Sequence, residues 1–292
     1  MGTFKHVIVI GYGVVTGEVL SVVHKYSSQH DYSLEYIEHE VHPFNTAKKF
    51  AEANGVKHQV IEDKQALTKY FMHSAEASKL LVISASNNYL FPRALVENEN
   101  VTIINFHNAL LPDLPGRNAP SWAIFEGRVK TGITWHYVTA GVDTGDIIIQ
   151  KECEISDNIK AYELVAAQMK LAAKAFDECY ESVLSEEVKA VKQEIPENRR
   201  LYKSKEVPGG GSFDLKDDPE YIYRLLRAMD YGKNDIFPLP VTHYNDRKVC
   251  IKKYKMIKVE EKAEGDNKIF LPYGRDFYLM LKYSVPEPME LF

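Results

Sequence analysis

The sequence predicts an α/β chain: a mostly parallel sheet in an N-terminal domain over residues 1–190, then a helix and a smaller β-rich C-terminal domain over residues 191–292. Three observations predict it. The chain opens as strand, glycine turn and helix, because the apolar run His6–Ile10 enters Gly11-Tyr-Gly13 and Val15, Val19, Val22 and Val23 then recur at helical spacing. Two compact runs, Leu80–Ser84 and Val101–Phe106, have the continuous hydrophobicity of buried parallel strands. From Pro238 onward, short β-prone runs (Val241–Tyr244, Val249–Ile257, Lys268–Phe270 and Phe277–Leu281) are separated by Gly, Asp and Pro.

Between these landmarks, Leu34–His39 reads as a second strand, and Pro43–Asn54 as a helix stopped by Gly55. Val56–Ile61 follows as a short strand and Lys64–His73 as another helix. Leu80–Ser84 delivers the chain into Ser86, Asn87 and Asn88, polar residues where open α/β sheets hold their ligands. The plainer reading is a strand-to-helix turn capped by asparagine side chains. After Val101–Phe106, the loop LPDLPGRNAP carries Pro112, Pro115, Gly116 and Pro120, which rule out helix or central strand. Ser121–Glu126 reads as helical, Thr131–Val138 as a strand, AGVDTGD as a tight turn and Ile147–Gln150 as a third strand. Ser156–Tyr180 is a long amphipathic helix with Ser156 or Asp157 as N-cap. Glu181–Asn198, charged and holding Pro196, suits a linker, and Pro208–Gly211 a turn. Phe213–Met229 is an acidic turn leading into a helix, and no internal repeat is visible.

Composition excludes several classes. The 292 residues are 45% hydrophobic and 26% charged, which is ordinary for a globular chain with a sizeable core. A net charge of -5 argues against a general phosphate-backbone binder, while leaving a local basic patch open. Cys153, Cys179 and Cys250 are scattered without a CxxC, which indicates neither a disulfide framework nor a thiolate metal site. No apolar run reaches membrane-spanning length, and the lead Met1–His6 lacks secretory organisation, so the cytoplasm is the expected location.

The chemistry concentrates at the end of the Val101–Phe106 run. Asn105 and His107 are two apart in a strand and therefore share a face. If that face meets the turn holding Asp143, an amide, an imidazole and a carboxylate converge on one volume. The amide and an imidazolium can donate to a developing oxyanion, and the carboxylate can hold the histidine tautomer and help move a proton. The bland reading of His107 is a satisfied buried histidine. Competing chemistries are poorly supported. GYGVVTG lacks the full GxGxxG, and no cleanly placed acidic residue completes a ribose contact, so NAD is not expected. No GxSxG is present. His39 and His42, flanked by Glu38 and Glu40, do not form HExxH, so no metal is expected. His24, His30, His58 and His73 read as surface or helix-face residues, and His136 as either cleft lining or half-buried filler. Arg117 either grips a carboxylate or phosphate or braces its loop. Tyr221 and Tyr223 either stack on a base or pack.

Asn105-Phe-His107, Leu110-Leu-Pro-Asp-Leu-Pro-Gly-Arg117, Thr131-Gly-Ile-Thr134 and Gly141-Val-Asp-Thr-Gly145 occur in that order. Each is weak alone, but the ordered set is specific, and it resembles the folate-dependent formyltransferases. That family comprises the methionyl-tRNA, glycinamide ribonucleotide and nucleotide-sugar N-formyltransferases. The resemblance covers roughly Lys5 to Lys174 and is looser beyond. It implies a Rossmann-like N-terminal domain that does not bind NAD, and N10-formyltetrahydrofolate as co-substrate without a metal. It also implies Asn105, His107 and Asp143 as catalytic residues. Ser86, Asn87, Asn88, Tyr89, Leu90, Phe91 and Pro92 would form the loop that binds the pterin-like ring. Phe91-Pro92 matches the family there, while Asn88-Tyr89 departs from it. Phe213–Met229, with Arg227-Ala228, looks more like the nucleotide-sugar group than the tRNA group.

The expected reaction is therefore formyl transfer to a primary amine, that of a nucleotide-linked amino sugar, with Arg117, Tyr221 and Tyr223 as acceptor contacts. Alternatives are transfer to methionyl-tRNA, hydrolysis of formyltetrahydrofolate (a hydrolase would often carry a regulatory domain, and none precedes Lys5), or a non-catalytic folate-binding module. The expected partner is a small-molecule amine, with tRNA and a homodimer left open.

Overall fold

The computed structural model describes residues 4–43 and 45–286; the lead before Phe4 and the tail beyond Pro286 lie outside the described residues. Two compact units are interleaved along the chain. The first takes the residues up to Gly116, Thr131–Cys153 and Ala166–Leu201; the second takes Arg117–Lys130, Glu154–Val165 and the residues from Tyr202 onward.

In chain order the elements are β1 (His6–Gly11), α1 (Gly13–Ser27), β2 (Ser33–Glu38), α2 (Thr46–Asn54), β3 (Lys57–Val60), α3 (Lys64–Ser74), β4 (Leu80–Ala85), α4 (Arg93–Val96), β5 (Val101–His107), α5 (Ala119–Phe125), β6 (Lys130–Tyr137), β7 (Ile147–Glu154) and α6 (Ala161–Leu184). After a short 3₁₀ turn come α7 (Pro219–Met229), β8 (Val241–Tyr244), β9 (Arg247–Lys258), β10 (Lys268–Tyr273) and β11 (Phe277–Ser284).

The first unit is the mostly parallel sheet that the apolar runs predict, in the order β3-β2-β1-β4-β5-β6-β7. β1 to β5 run parallel, and β6 is antiparallel to β5. The uninterrupted apolar runs have a simple cause, since alternate residues of one strand enter different cores. Val7 and Val9 join Val15, Val19, Leu20, Val23, Ala172 and Phe176, on the face covered by α1, α2 and α6. Ile8 and Ile10 join Leu67, Phe71 and Leu95, on the face covered by α3 and α4. Each such fully buried Val, Leu, Ile or Phe side chain contributes about 1.5–3 kcal/mol relative to exposure. Strand order reverses between β1 and β4, so their carboxyl ends border the crevice typical of open α/β sheets.

The second unit packs α7 on an antiparallel sheet of order β10-β11-β9-β8. Ile222, Leu225, Leu226 and Met229 bury against Ile251, Ile269, Leu271, Leu279 and Leu281. Pro219 begins the helix behind Asp218, whose side chain accepts from the Glu220 N–H.

Three details depart from the sequence reading. The long helix begins at Ala161, not Ser156, because the Ser156 hydroxyl bonds Asn158 and the Lys160 N–H is capped by the Glu163 carboxylate. The segment read as a linker from Glu181 starts inside α6, and its Val191 pairs with Ile147. His58 lies half-buried on β3, 3.4 Å from the Glu38 carboxylate.

Candidate active site

The candidate site lies within the first unit, at the carboxyl end of β5. Asn105 is in register with Ser84 of β4 and His136 of β6, and His107 with Thr134 of β6. Ser84 Oγ donates to Asn105 Oδ1 at 2.8 Å, while Asn105 Nδ2 donates to Phe106 O at 3.1 Å and faces His136 Nε2 at 3.2 Å. His136 Nδ1 donates to Tyr137 O at 2.8 Å, so its Nε2 carries the lone pair that accepts from Asn105. Burial pushes the His136 ring down to about 4, against a smaller upward pull from Asp143, so it is neutral at pH 7. These bonds fix which way the Asn105 amide points.

His107 is buried, and its Nε2–H donates to Leu114 O at 2.9 Å. Nδ1 therefore turns to Asp143 Oδ2, 3.5 Å away, while Asp143 Oδ1 lies 3.6 Å from His136 Nε2. The Gly116 N–H donates to Asp143 Oδ2 at 2.7 Å. Burial pushes the Asp143 carboxyl up. The His107 and His136 rings, the Gly116 N–H and the Arg199 guanidinium outweigh it, and the net displacement is downward. The carboxylate is thus held ionised between two imidazoles.

Asp143 stands on a turn in the left-handed region, at φ 52. Two residues on, a Cβ at Gly145 would meet Tyr137 O at 1.8 Å, so only glycine lets the turn approach β6 this closely. Gln193 Nε2 donates to Asp143 O at 3.2 Å and to Gly145 O at 2.6 Å. Arg199 Nη2 and Nη1 donate to Asp143 O at 2.7 Å and Val142 O at 3.1 Å, and its Nε donates to Pro112 O at 3.2 Å. Gln193 lies inside the segment read as a linker and Arg199 directly follows it. His136, left undecided in the sequence, is 2% exposed and joins the network.

The loop after β4 faces the Gly11 turn at the switch crevice. A Cβ at Gly11, where φ is 142, would meet Ala85 O at 1.8 Å, and the Tyr12 N–H donates to Ser86 O at 3.3 Å. Ser86 has φ 53, Asn87 Oδ1 accepts from the Tyr89 N–H at 3.1 Å, and Asn88 Nδ2 donates to Glu40 at 2.5 Å. Tyr89 is buried against Phe71, Phe91 and His39, with its hydroxyl 2.6 Å from Thr68 Oγ1. Leu90 is 79% exposed, and Pro92 is the N-cap of α4. Among the described residues the Leu90 and Phe91 backbone N–H groups donate to no protein acceptor.

Arg117, Tyr221 and Tyr223 belong to the second unit. Arg117 is exposed, and its backbone N–H donates to Tyr202 O at 2.9 Å. The Tyr221 ring packs on Phe125, and the Tyr223 ring meets Tyr254 and Tyr273 with the Arg227 guanidinium 4.9 Å from its centroid. An acid does stand at the end of β2, where a dinucleotide fold would place its ribose ligand. However, Glu38 is buried and its Oε1 accepts from Asn45 Nδ2 and the His42 N–H. His39 Nδ1 lies 2.7 Å from Ile61 O, and among the described residues no group of three His, Cys, Asp or Glu is placed to hold a metal ion.

Fold and site together define a class: an α/β protein whose amide, imidazole and carboxylate gather at strand ends beside the switch crevice, arranged for acid–base chemistry. Residues 13–179, more than half of the chain, match the formyl transferase family, and the chain belongs to it. It is 28% identical over 196 residues to the methionyl-tRNA formyltransferase of Clostridioides difficile (strain 630), spanning 67% of this chain and 60% of that protein. The match thus leaves more than a third of that relative's length uncovered. The N-formyltransferase from Helicobacter canadensis, solved with folinic acid and dTDP-3-aminofucose, is similar in fold at a TM-score of 0.69 and 17% identity, over 96% of this chain and 100% of the other. A 4-N formyltransferase from Francisella tularensis gives 0.65 and 21%, over 85% and 96%.

Proposed function

We propose that the protein transfers a formyl group from N10-formyltetrahydrofolate to a primary amine. The observation that carries this reading is Asp143 held ionised between the His107 and His136 rings, with Asn105 oriented beside them. The amine nitrogen attacks the formyl carbon, and the carbonyl oxygen becomes an oxyanion. Asn105 Nδ2–H and His107 Nε2–H are its donors, the former exchanging Phe106 O and the latter Leu114 O for the formyl oxygen. The proton lost by the amine passes to the His107–Asp143 pair and is returned to N10 as the tetrahedral intermediate collapses. Tetrahydrofolate and an N-formyl product result, with no net proton change. Ser86–Pro92 bind the folate ring, with the Leu90 and Phe91 N–H groups as its donors.

For the acceptor we favour the amine of a nucleotide-linked amino sugar. Support comes from the net charge of -5 and from full-length similarity in fold to an enzyme solved with dTDP-3-aminofucose. Arg117, exposed in the second unit, is the candidate for an anionic group of that acceptor. One observation favours an aminoacyl-tRNA instead. Lys268, Lys282 and Lys253 are direct cross-strand neighbours in the small sheet, a like-charge row that is unfavourable without an anion. Competition between the two acceptors for one formyl donor decides this. The sugar reading requires faster transfer to the nucleotide sugar.

A further inference from the structure

The Asp143 carboxylate is the least self-supporting part of the site. It stands on a turn whose residues 139–142 are all exposed, and its own backbone is in the left-handed region. Among the described residues one hydrogen bond, from the Gly116 N–H, reaches the carboxylate itself. Main-chain bonds must set the turn, and most of those reaching Asp143 from outside it come from two side chains. Gln193 takes the carbonyls of Asp143 and Gly145. Arg199 takes those of Asp143 and Val142, and with its Nε that of Pro112. Pro112 belongs to the loop whose Leu114 carbonyl holds His107 Nε2. One guanidinium therefore ties the turn that presents Asp143 to the loop that orients His107.

We infer that Arg199 is a positioning residue of formyl transfer, clamping the Asp143 turn to the Leu110–Gly116 loop so that carboxylate and imidazole stay in register. The inference rests on the proposed reaction for its kinetic readout only. A neutral substitute cannot reproduce three donors in a fixed fork, and a lysine keeps the charge but not the fork. Asp143 faces His107 from β5, His136 from β6 and Arg199 from the segment after α6. With both rings left in place, removing the Arg199 charge lets burial push the carboxyl upward.

The test compares wild type, Arg199→Gln and Arg199→Lys. In Arg199→Gln, kcat should fall at least tenfold, KM for the folate donor should change less than threefold, and the acid limb of the kcat profile should move to higher pH. Arg199→Lys should return the acid limb toward wild type while kcat stays reduced. Carboxyl-¹³C titration of Asp143, assigned with Asp143→Asn, gives a readout that needs no turnover, and its midpoint should rise in Arg199→Gln only. Wild-type kcat and an unmoved Asp143 titration in Arg199→Gln would overturn the inference. Loss of kcat that tracks a lost melting transition equally in both variants would also overturn it, leaving a merely structural role. If wild type transfers no formyl group, the functional reading fails, and the carboxyl titration alone still decides the clamp.

Discussion

Replacing Asp143 by Asn changes one oxygen to an NH₂ where the two groups bond oppositely. The Asn oxygen can keep the 2.7 Å bond from the Gly116 N–H, and the main-chain bonds from Gln193 and Arg199 do not depend on the side chain, so the turn should hold. The new NH₂ then takes the place of Oδ1 and faces the lone pair of His136 Nε2, while the negative charge beside His107 Nδ1 is lost, so a protonated imidazole is no longer stabilised there. The pair can no longer take the proton of the attacking amine. Loss of a positioned acid–base pair costs about 10²–10⁴ in rate. At about 1.4 kcal/mol per factor of ten, this is about 3–5 kcal/mol of transition-state stabilisation. Stability should respond differently. The folded carboxyl lies below its ordinary 3.8, so its ionised form adds stability above that pH, lost as pH falls through the lower folded value. Asp143→Asn should lack this acid-limb loss and melt with a flatter pH dependence below pH 5. The assay is kcat at saturating donor and acceptor, with melting followed from pH 3 to 7. A variant within threefold of wild-type kcat would refute the role given to the pair.

Two further outcomes follow from the same geometry. The His136 ring is depressed from 6.5 to about 4, so the stability it adds as a neutral group is complete above pH 6.5 and lost as pH falls toward 4, roughly 3 kcal/mol at most. His136→Gln should lose that slope in pH-dependent melting and lower kcat about tenfold through a misdirected Asn105. Tetrahydrofolate or its 5-formyl form at a hundred times Kd should stabilise the protein by about 2.7 kcal/mol. NAD should not, and a melting shift with NAD alone would redirect the reading to an oxidoreductase.

What the sequence made legible was local. Asn105 and His107 announce themselves because polar groups at the end of an apolar strand are costly without partners, and their two-residue spacing puts them on one face. Asp143 is legible because GVDTG is turn chemistry, and the structure shows why Gly145 must be glycine. The two-sided burial of β1 and β4 was equally plain from unbroken apolar runs. Arg199 was not legible. Its partners are main-chain carbonyls 56, 57 and 87 residues away, and a carbonyl leaves no mark in a sequence. The start of α6 was misplaced for a similar reason, since Ser156 and Glu163 both offer capping and only the folded backbone selects Glu163.

The proposed formyl transfer runs through His107. Purified protein should be given N10-formyltetrahydrofolate with a panel of nucleotide-linked amino sugars, glycinamide ribonucleotide, free amino acids and initiator methionyl-tRNA. Tetrahydrofolate formation and product mass should be followed together, and His107→Ala run beside wild type. Tetrahydrofolate release should depend on the acceptor and give one product heavier by a single carbonyl group, fastest on a nucleotide sugar. His107→Ala should retain less than a tenth of wild-type kcat while melting as a folded protein. Formate release without acceptor dependence, or a His107→Ala variant as active as wild type, would contradict it.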